Sequence, residues 1–447
     1  MEIYCWEALD EATRRRLLMR SRPDLAEILP EVKTILEDVR RRGDAAVREY
    51  LRRFDGVDWP PERWRVRPEE MAAAWDALDP AVREALRREA EAVRRFHEAQ
   101  RERPLWLMEA APGVLAGQIV RPLDCVGLYI PGGRAVYPTI VNALAIPATV
   151  AGVGRIVACT PPAGRHPAVL AAAGAAGVTD LFLVGGVAAV AAMAYGTETI
   201  PRVDKIVGPG NLYVLAAKML VMGEVAIDML AGPTELVVLA DETARPDWVA
   251  AELLAQAEHD PHTACLLITP SLPLAEAVRR EVERLGPSLP RWEIARQALE
   301  TYGGLVVTPD LETALAICNA YAPEHLALYT RDPWALLPRI RHAGAVFLGP
   351  WSTVAAGDYA TGTNNTLPTG GWARSTSSVS VETFVKKIEV EALTEEGLRH
   401  LAPVITALAE VEGLHAHAAA VRLRLAGGGG SPPADLDPCR SPDPQLP

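Results

Sequence analysis

Short runs of β-branched and aliphatic residues alternate with alanine-rich runs of helical length through the middle of this chain. The strand-like runs lie at Arg155–Thr160, Asp180–Val184, Lys205–Val207 and Glu235–Ala240. They continue at Ala264–Thr269, Leu305–Thr308, Leu326–Tyr329 and Ala345–Leu348. Ala168–Ala176 and Ala188–Ala194 are alanine-rich stretches between some of them. Repetition of strand, helix, strand makes successive strands parallel, because a helix takes up each return path. An α/β class is expected, and the number of strands asks for two parallel-sheet units rather than one.

The flanks read differently. Glu31–Tyr50 spaces its apolar residues as a helix does. Asp79-Pro80 is a helix cap followed by proline at the first helical position. The Arg/Glu/Ala helix that follows, to about Arg103, reads as a solvated face. After about Thr383 the pattern is helical again, with Leu398, Leu401, Ile405, Leu408 and Val411 in one stripe. The last stretch, 427–447, is mostly Gly, Pro, Ser and Asp and is expected to be a disordered tail.

Composition narrows the function. The 447 residues carry 45 Lys plus Arg against 57 Asp plus Glu, a net charge of −12. That balance disfavours neutralising a nucleic-acid backbone or docking on an anionic membrane. The cysteines, at 5, 125, 159, 265, 318 and 439, make no Cys-x-x-Cys pair and read as reduced thiols. The N-terminus, MEIYCWEALDEATRRR, lacks a basic region followed by an apolar run. Val141–Val153 is apolar but short, and Pro147 breaks it. A soluble cytoplasmic protein is expected.

Several segments carry candidate chemistry. No Gly-x-Gly-x-x-Gly turn, Walker loop, Gly-x-Ser-x-Gly elbow or His-Glu-x-x-His is present. The nearest glycine pattern, Gly152-Val153-Gly154-Arg155, opens into a strand. Gln256 and His259 are three apart at a helix that Asp247 is expected to cap, so they share one face. Two such donors can hold a metal, although a plain polar helix end has the same pattern. Pro323-Glu324-His325 sets an acid and an imidazole at the mouth of a strand, their side chains pointing apart. Asp358 stands in a glycine-punctuated polar loop, Ala355 to Asn365. Gly208-Pro209-Gly210-Asn211 and Tyr129-Ile130-Pro131-Gly132-Gly133 each place glycines after a strand, where backbone can approach a ligand. His262 reads as a surface loop residue, and His415 and His417 lie in a late helical segment.

Taken together these segments resemble the histidinol dehydrogenase family. The resemblance runs from about Arg14 to about Leu425 and rests on seven blocks. They are VGLYIPGGRAVYP, ETIPRVDKIVGPGN, MLAGPTE, QAEHDP, NAYAPEHL, GDYATGTNNTLPTGG and EGLHAHAAAV, in the family's order. It implies oxidation of L-histidinol to L-histidine through a bound aldehyde, with two NAD reduced, by a zinc-dependent homodimer. It implies two incomplete Rossmann-like domains, which would explain the missing glycine fingerprint. The implied layout is an N-terminal helical segment 1–22, then a first domain of 23–128 with 236–380. A second, NAD-side domain would follow at 129–235, and a helical dimerisation segment at 381–426. By the same resemblance Gln256, His259, Asp358 and His417 are zinc ligands, His417 coming from the other subunit. His325 would act as base, and Glu324 would activate water. Thr234, Gln256, His259, His325, Asp358, Glu412 and His417 would touch the substrate, and Tyr129 and Asn211 the NAD.

Two positions depart from the family pattern. Ala188 stands where the family usually has Gln, which contacts NAD. Asn365 stands where it usually has His, near the substrate; Asn keeps hydrogen-bonding capacity but loses a proton carrier. A related dehydrogenase of another small polar alcohol, such as a dihydroxypropane sulfonate, is the alternative. A zinc hydrolase without any dinucleotide is a further class.

Overall fold

The computed structural model describes residues 1–19, 25–133 and 135–427. Two compact units are formed. The larger comprises Met1–Arg101 and Pro122–Val385, and the smaller comprises Glu102–Arg121 with the described residues from Lys386 on.

In chain order, β1 (Ile3–Cys5) belongs to a first sheet and β2 (Arg65–Val66) to a second. β3 (Leu105–Ala111) and β4 (Val114–Pro122) form an antiparallel hairpin. β5 (Cys125–Tyr129), β6 (Arg155–Cys159), β7 (Asp180–Phe182), β8 (Lys205–Val207) and β9 (Ala226–Ile227) complete the second sheet. β10 (Glu235–Ala240), β11 (Ala264–Thr269), β12 (Gly304–Val307), β13 (His325–Tyr329) and β14 (Ala345–Leu348) complete the first. β15 (Val385–Leu393) joins the hairpin in a third sheet.

The first sheet runs β1-β12-β11-β10-β13-β14, every pair parallel. The second runs β2-β7-β6-β5-β8-β9, parallel except at the edge pair β2–β7. Counted from β10 and from β5, both follow the 3-2-1-4-5 strand order of a dinucleotide-binding half. The short edge strands β1 and β2 lie outside the third strand of each half, and among the described residues no sixth strand follows β14 or β9. The α/β class with two incomplete Rossmann-like sheets is therefore what this chain forms.

The strands read as continuous apolar runs because both faces are covered. In β10, Leu236, Val238 and Ala240 enter one core while Val237 and Leu239 enter the other. In β6, Ile156 and Ala158 face one layer and Val157 and Cys159 the opposite one.

The flanks bring corrections. Glu31–Tyr50 is two helices, Leu29–Arg42 and Asp44–Tyr50, because Gly43 takes a φ of 55° between them. Val32, Ile35, Leu36 and Val39 pack with Phe182 and Ile206, so this helix covers the second sheet. The sequence-based division grouped 23–128 with the first sheet, yet β5 inside that range is also a strand of the second. An apolar stripe reveals that a helix packs, not which sheet it meets. Asp79 caps the helix Pro80–Glu98, accepting from Ala81 N at 2.8 Å. That helix is not simply a solvated face: Leu86, Glu89, Val93 and His97 are buried on one side.

Near the ends, β1 precedes the helix Glu11–Met19, and β15 precedes the helices Glu395–Val411 and His415–Ala426. The β3–β4 hairpin had no sequence signal, because Leu105-Trp106-Leu107-Met108 lacks alternation; all four are exposed in the single chain. Past Gly427, the expected tail lies outside the described residues. No helix of the described residues is long and apolar enough to cross a membrane. Leu128 is fully buried in β5, at the centre of the second sheet. Leu128→Ala is expected to destabilise the protein by about 2–5 kcal/mol through the cavity it leaves. Urea unfolding of the variant checks this, as a lowered midpoint.

Candidate active site

The site is built where β10 and β13 begin. The two strands pair in parallel with His325 opposite Leu236, which sets Thr234 and Glu235 beside Glu324. A hydrogen-bonded chain crosses this edge. Gln256 Nε2 donates to Thr234 Oγ1 at 2.7 Å, and Thr234 Oγ1 donates to Glu324 Oε2 at 2.6 Å. The Glu235 backbone N–H donates to the same Oε2 at 2.7 Å. His325 Nδ1 lies 2.9 Å from the Glu235 carbonyl and 3.4 Å from Glu324 Oε2. Both neighbours accept only, so Nδ1 carries the proton and Nε2 is the atom left to act as a base. The Glu324 bonds named above all fall on Oε2.

Local sequence explains the placement. The helix Leu311–Tyr321 ends on Ala322, whose φ of 52° makes it the one non-glycine residue of positive φ among the described residues. Pro323 follows, and the residue before it is left-handed rather than extended, so the chain turns there before Glu324. Strain of this kind persists where surrounding structure over-determines it. Glu324 and His325 do not point apart as alternation along a strand suggested. Glu324 precedes the first paired residue, so its carboxylate folds back to His325 and Thr234.

The electrostatics follow from burial. Gln256, Glu324 and His325 are all buried. Burial of His325 disfavours the imidazolium, but Glu324 beside it, and Asp358 beyond, outweigh that and push its pKa to about 9. Asp358 is raised by burial, against the pull of His325 and His259. The His325 ring also stacks on Phe347, with centroids 6.0 Å apart.

The predicted ligands are partly brought together. Gln256 is in the helix Pro246–Ala257, and His259 follows it, exposed. Asp247 does not cap that helix; Arg245 stands at the N-cap position without a side-chain capping bond, and Asp247 pairs with it from the first turn. Asp358 lies in a short helix, Val354–Tyr359, rather than in a loop. No group of three His, Cys, Asp or Glu placed to hold a metal occurs among the described residues. The donor chemistry nevertheless suits a borderline cation: an amide oxygen, an imidazole and a half-buried carboxylate with no thiolate. The amide nitrogen of Gln256 is engaged by Thr234, so its Oε1 is the atom of that side chain suited to a cation. Asn365 supports the same reading. Its Nδ2 reaches the Asp358 carbonyl at 3.4 Å, while its buried Oδ1 has no partner among the described residues. Buried acceptors of this kind call for a polar ligand. In the smaller unit, Glu412 ends the helix Glu395–Val411 and His417 lies in the first turn of His415–Ala426, both exposed. His415 and His262 are exposed too.

Tyr129 and the turn from Gly208 to Asn211 lie at the other kind of edge. Tyr129 ends β5 and Gly208 follows β8, neighbouring strands where the order of the second sheet reverses. Open α/β sheets bind ligands at such a point. Tyr129 is buried, which pushes its hydroxyl up to about 12, and the hydroxyl accepts from Gly186 N at 3.1 Å. Ala188 is buried two residues on. Asn211 caps the helix Leu212–Val221 through its side-chain oxygen, which receives Tyr213 N and Val214 N at 3.1 Å each.

Sequence reasoning missed four contributors. Glu235 gives its carbonyl to His325, and its Oε1 receives Gly370 N at 2.7 Å. Thr369 receives Gly232 N at 2.5 Å. Glu252 receives Val354 N at 3.1 Å and so holds the start of the Asp358 helix. Asn364 is buried, donates to the Ala143 carbonyl at 2.6 Å and holds the loop next to Asn365. Glu235 lies in MLAGPTE, and Asn364 and Thr369 lie in GDYATGTNNTLPTGG, whereas Glu252 is outside every quoted block. For the site's charge balance, Glu324→Gln removes the carboxylate that raises His325. Burial then dominates, and NMR titration of the metal-free variant should show the imidazole titrating well below about 9. An unchanged titration would remove Glu324 from that role.

The sequence profile described as histidinol dehydrogenase matches residues 18–425. The chain is 53% identical to the histidinol dehydrogenase of Methanothermobacter thermautotrophicus over 412 residues, covering 92% of this chain and 96% of that protein. It is 52% identical to that of Geobacillus kaustophilus over 397 residues, 88% of this chain and 93% of the other. The crystal structure of histidinol dehydrogenase from Elizabethkingia anophelis superposes with a TM-score of 0.89 at 39% identity, covering 96% and 98% of the two chains. With this fold, this buried acid–imidazole pair and likeness over nearly its whole length, the chain belongs to the histidinol dehydrogenase family of NAD-dependent oxidoreductases.

Proposed function

We propose that this protein oxidises L-histidinol to L-histidine through bound histidinaldehyde, reducing two NAD in succession. The observation that carries the reading is the chain Gln256–Thr234–Glu324–His325, which sets a base and a water-activating carboxylate side by side. In the first oxidation His325 Nε2 takes the hydroxyl proton as hydride leaves the carbinol carbon. Glu324 Oε1 then accepts a proton from water as its oxygen adds to the aldehyde carbon, while His325 returns its proton to the aldehyde oxygen, giving the hydrate and a neutral imidazole. In the second oxidation His325 takes a hydroxyl proton of the hydrate, and hydride again leaves that carbon. An imidazole suits repeated proton transfer because its neutral and charged forms lie close in energy. It must be neutral to act, and the neutral form gains as pH rises toward its raised pKa. Thr234, Asn365 and Glu412 are the further substrate contacts of this reading, and Tyr129 and Asn211 serve the dinucleotide.

Zinc fits as the resident metal, held by Gln256, His259 and Asp358 with His417 of the partner subunit, where it would orient the substrate's amine and imidazole. A homodimer accords with the smaller unit, whose Trp106, Met108, Val404, Leu408, Val411 and Leu423 are exposed. Apolar patches of that kind mark association surfaces. A cytoplasmic setting accords with the buried free thiols of Cys159, Cys265 and Cys318. Histidinol is preferred to another small alcohol because the relatives named above share that designation at about half identity or more.

Absorbance of NADH at completion tests the reaction: two per L-histidinol are expected, and none with zinc bound would overturn the substrate. His259→Asn and Asp358→Ala should each lose zinc and activity together, by metal analysis and assay. Full zinc content in both would sink the ligand set. Mixing His417→Ala with His325→Ala chains should restore part of the activity in heterodimers, and no restoration would argue for a site within one subunit.

A further inference from the structure

The second sheet holds an ion pair that the chemistry above does not use. Lys218, in the helix Leu212–Val221, and Asp228, just after β9, face each other with side chains 3% and 1% exposed. Such a pair is costly to bury and contributes little net stability, so its geometry is the informative part. All of its remaining bonds go to backbone. Lys218 Nζ donates to the Gly208 carbonyl at 2.9 Å. Asp228 Oδ2 accepts from Gly208 N at 2.7 Å, and Oδ1 accepts from Met229 N at 2.6 Å. Both polar groups of Gly208 are therefore held by opposite ends of one buried pair.

Gly208 opens the turn to Asn211 at the point where β5 and β8 diverge. Its φ is 125°, and a Cβ there would lie 2.4 Å from the Tyr129 carbonyl. The peptide is pressed against the end of β5 in a conformation that only glycine adopts freely. Six residues beyond Asp228 the chain reaches Thr234, the hydroxyl bonded to Glu324. The pair thus joins the turn at the dinucleotide edge to the segment that supplies the substrate edge.

We infer that Lys218 and Asp228 are positioning residues that fix the Gly208–Asn211 turn for NAD. This rests on the dehydrogenase reading and goes beyond it, since neither side chain touches a reactant. Removing one charge leaves the other buried and unpaired, so Lys218→Met is paired with the neutral double variant Lys218→Met/Asp228→Asn, which keeps an acceptor for Gly208 N.

The test is calorimetric titration of the full-length, zinc-loaded protein and its variants with NADH, beside separate KM values for NAD and L-histidinol. The double variant should fold by circular dichroism and bind NADH about ten- to hundredfold more weakly, as displaced binding groups do. Its KM for NAD should rise in step, with the KM for L-histidinol little changed. NADH binding equal to that of the parent in a folded double variant would overturn the inference, and so would equal losses in both KM values. A parent that binds NADH yet makes none from L-histidinol would instead overturn the substrate reading and leave the clamp standing.

Discussion

Parallel pairing of β10 with β13 is the constraint on which the site depends. One register, with His325 opposite Leu236, brings the residues before each strand together. A slip of one residue would turn His325 to the other face of the sheet and separate Glu324 from Thr234. The register is held by strands buried on both faces, so the apolar cores that flank β10 also hold the geometry of the Glu324–His325 pair.

The two sheets share a strand order but use opposite edges. In the second, Tyr129 and Gly208 lie at strand ends where the order reverses, the ordinary ligand crevice of an open parallel sheet. In the first, Thr234, Glu235, Glu324 and His325 gather at strand starts. The corresponding crevice of the first sheet is occupied by the protein's own bonds, since Asp241 there receives Arg331 N at 2.7 Å and Thr243 N at 2.9 Å. A chain from β9 to β10 links the two working edges, with Asp228 at one end and Thr234 at the other.

Buried charge is concentrated where geometry must not drift. Glu324 sits against His325, and Lys218 against Asp228. Glu89 and Asn142 form a further buried contact, and burial pushes the Glu89 carboxyl up to about 7. Low local dielectric strengthens each such contact and makes any unpaired member costly, so partners are held in one arrangement.

The amino-acid sequence alone determined the class, most of the strands and the blocks in which Thr234, Gln256, Glu324 and His325 lie. Strands buried on both faces appear as apolar runs, and ligating or proton-moving side chains must be particular residues in particular blocks. Which helices cover which sheet, the β3–β4 hairpin and the contacts of Glu235, Glu252 and Asn364 were decided only in three dimensions. An apolar stripe fits any complementary face, and the exposed run Leu105–Met108 lacks the period of a half-buried strand. The facing of Glu324 to His325 is of the same kind. Adjacent residues diverge along a regular strand, and only the turn at Ala322 and the bonds from Thr234 and Glu235 bring their side chains together. Local chemistry is written residue by residue, whereas register and packing arise from contacts between segments far apart in the chain, which no local pattern encodes.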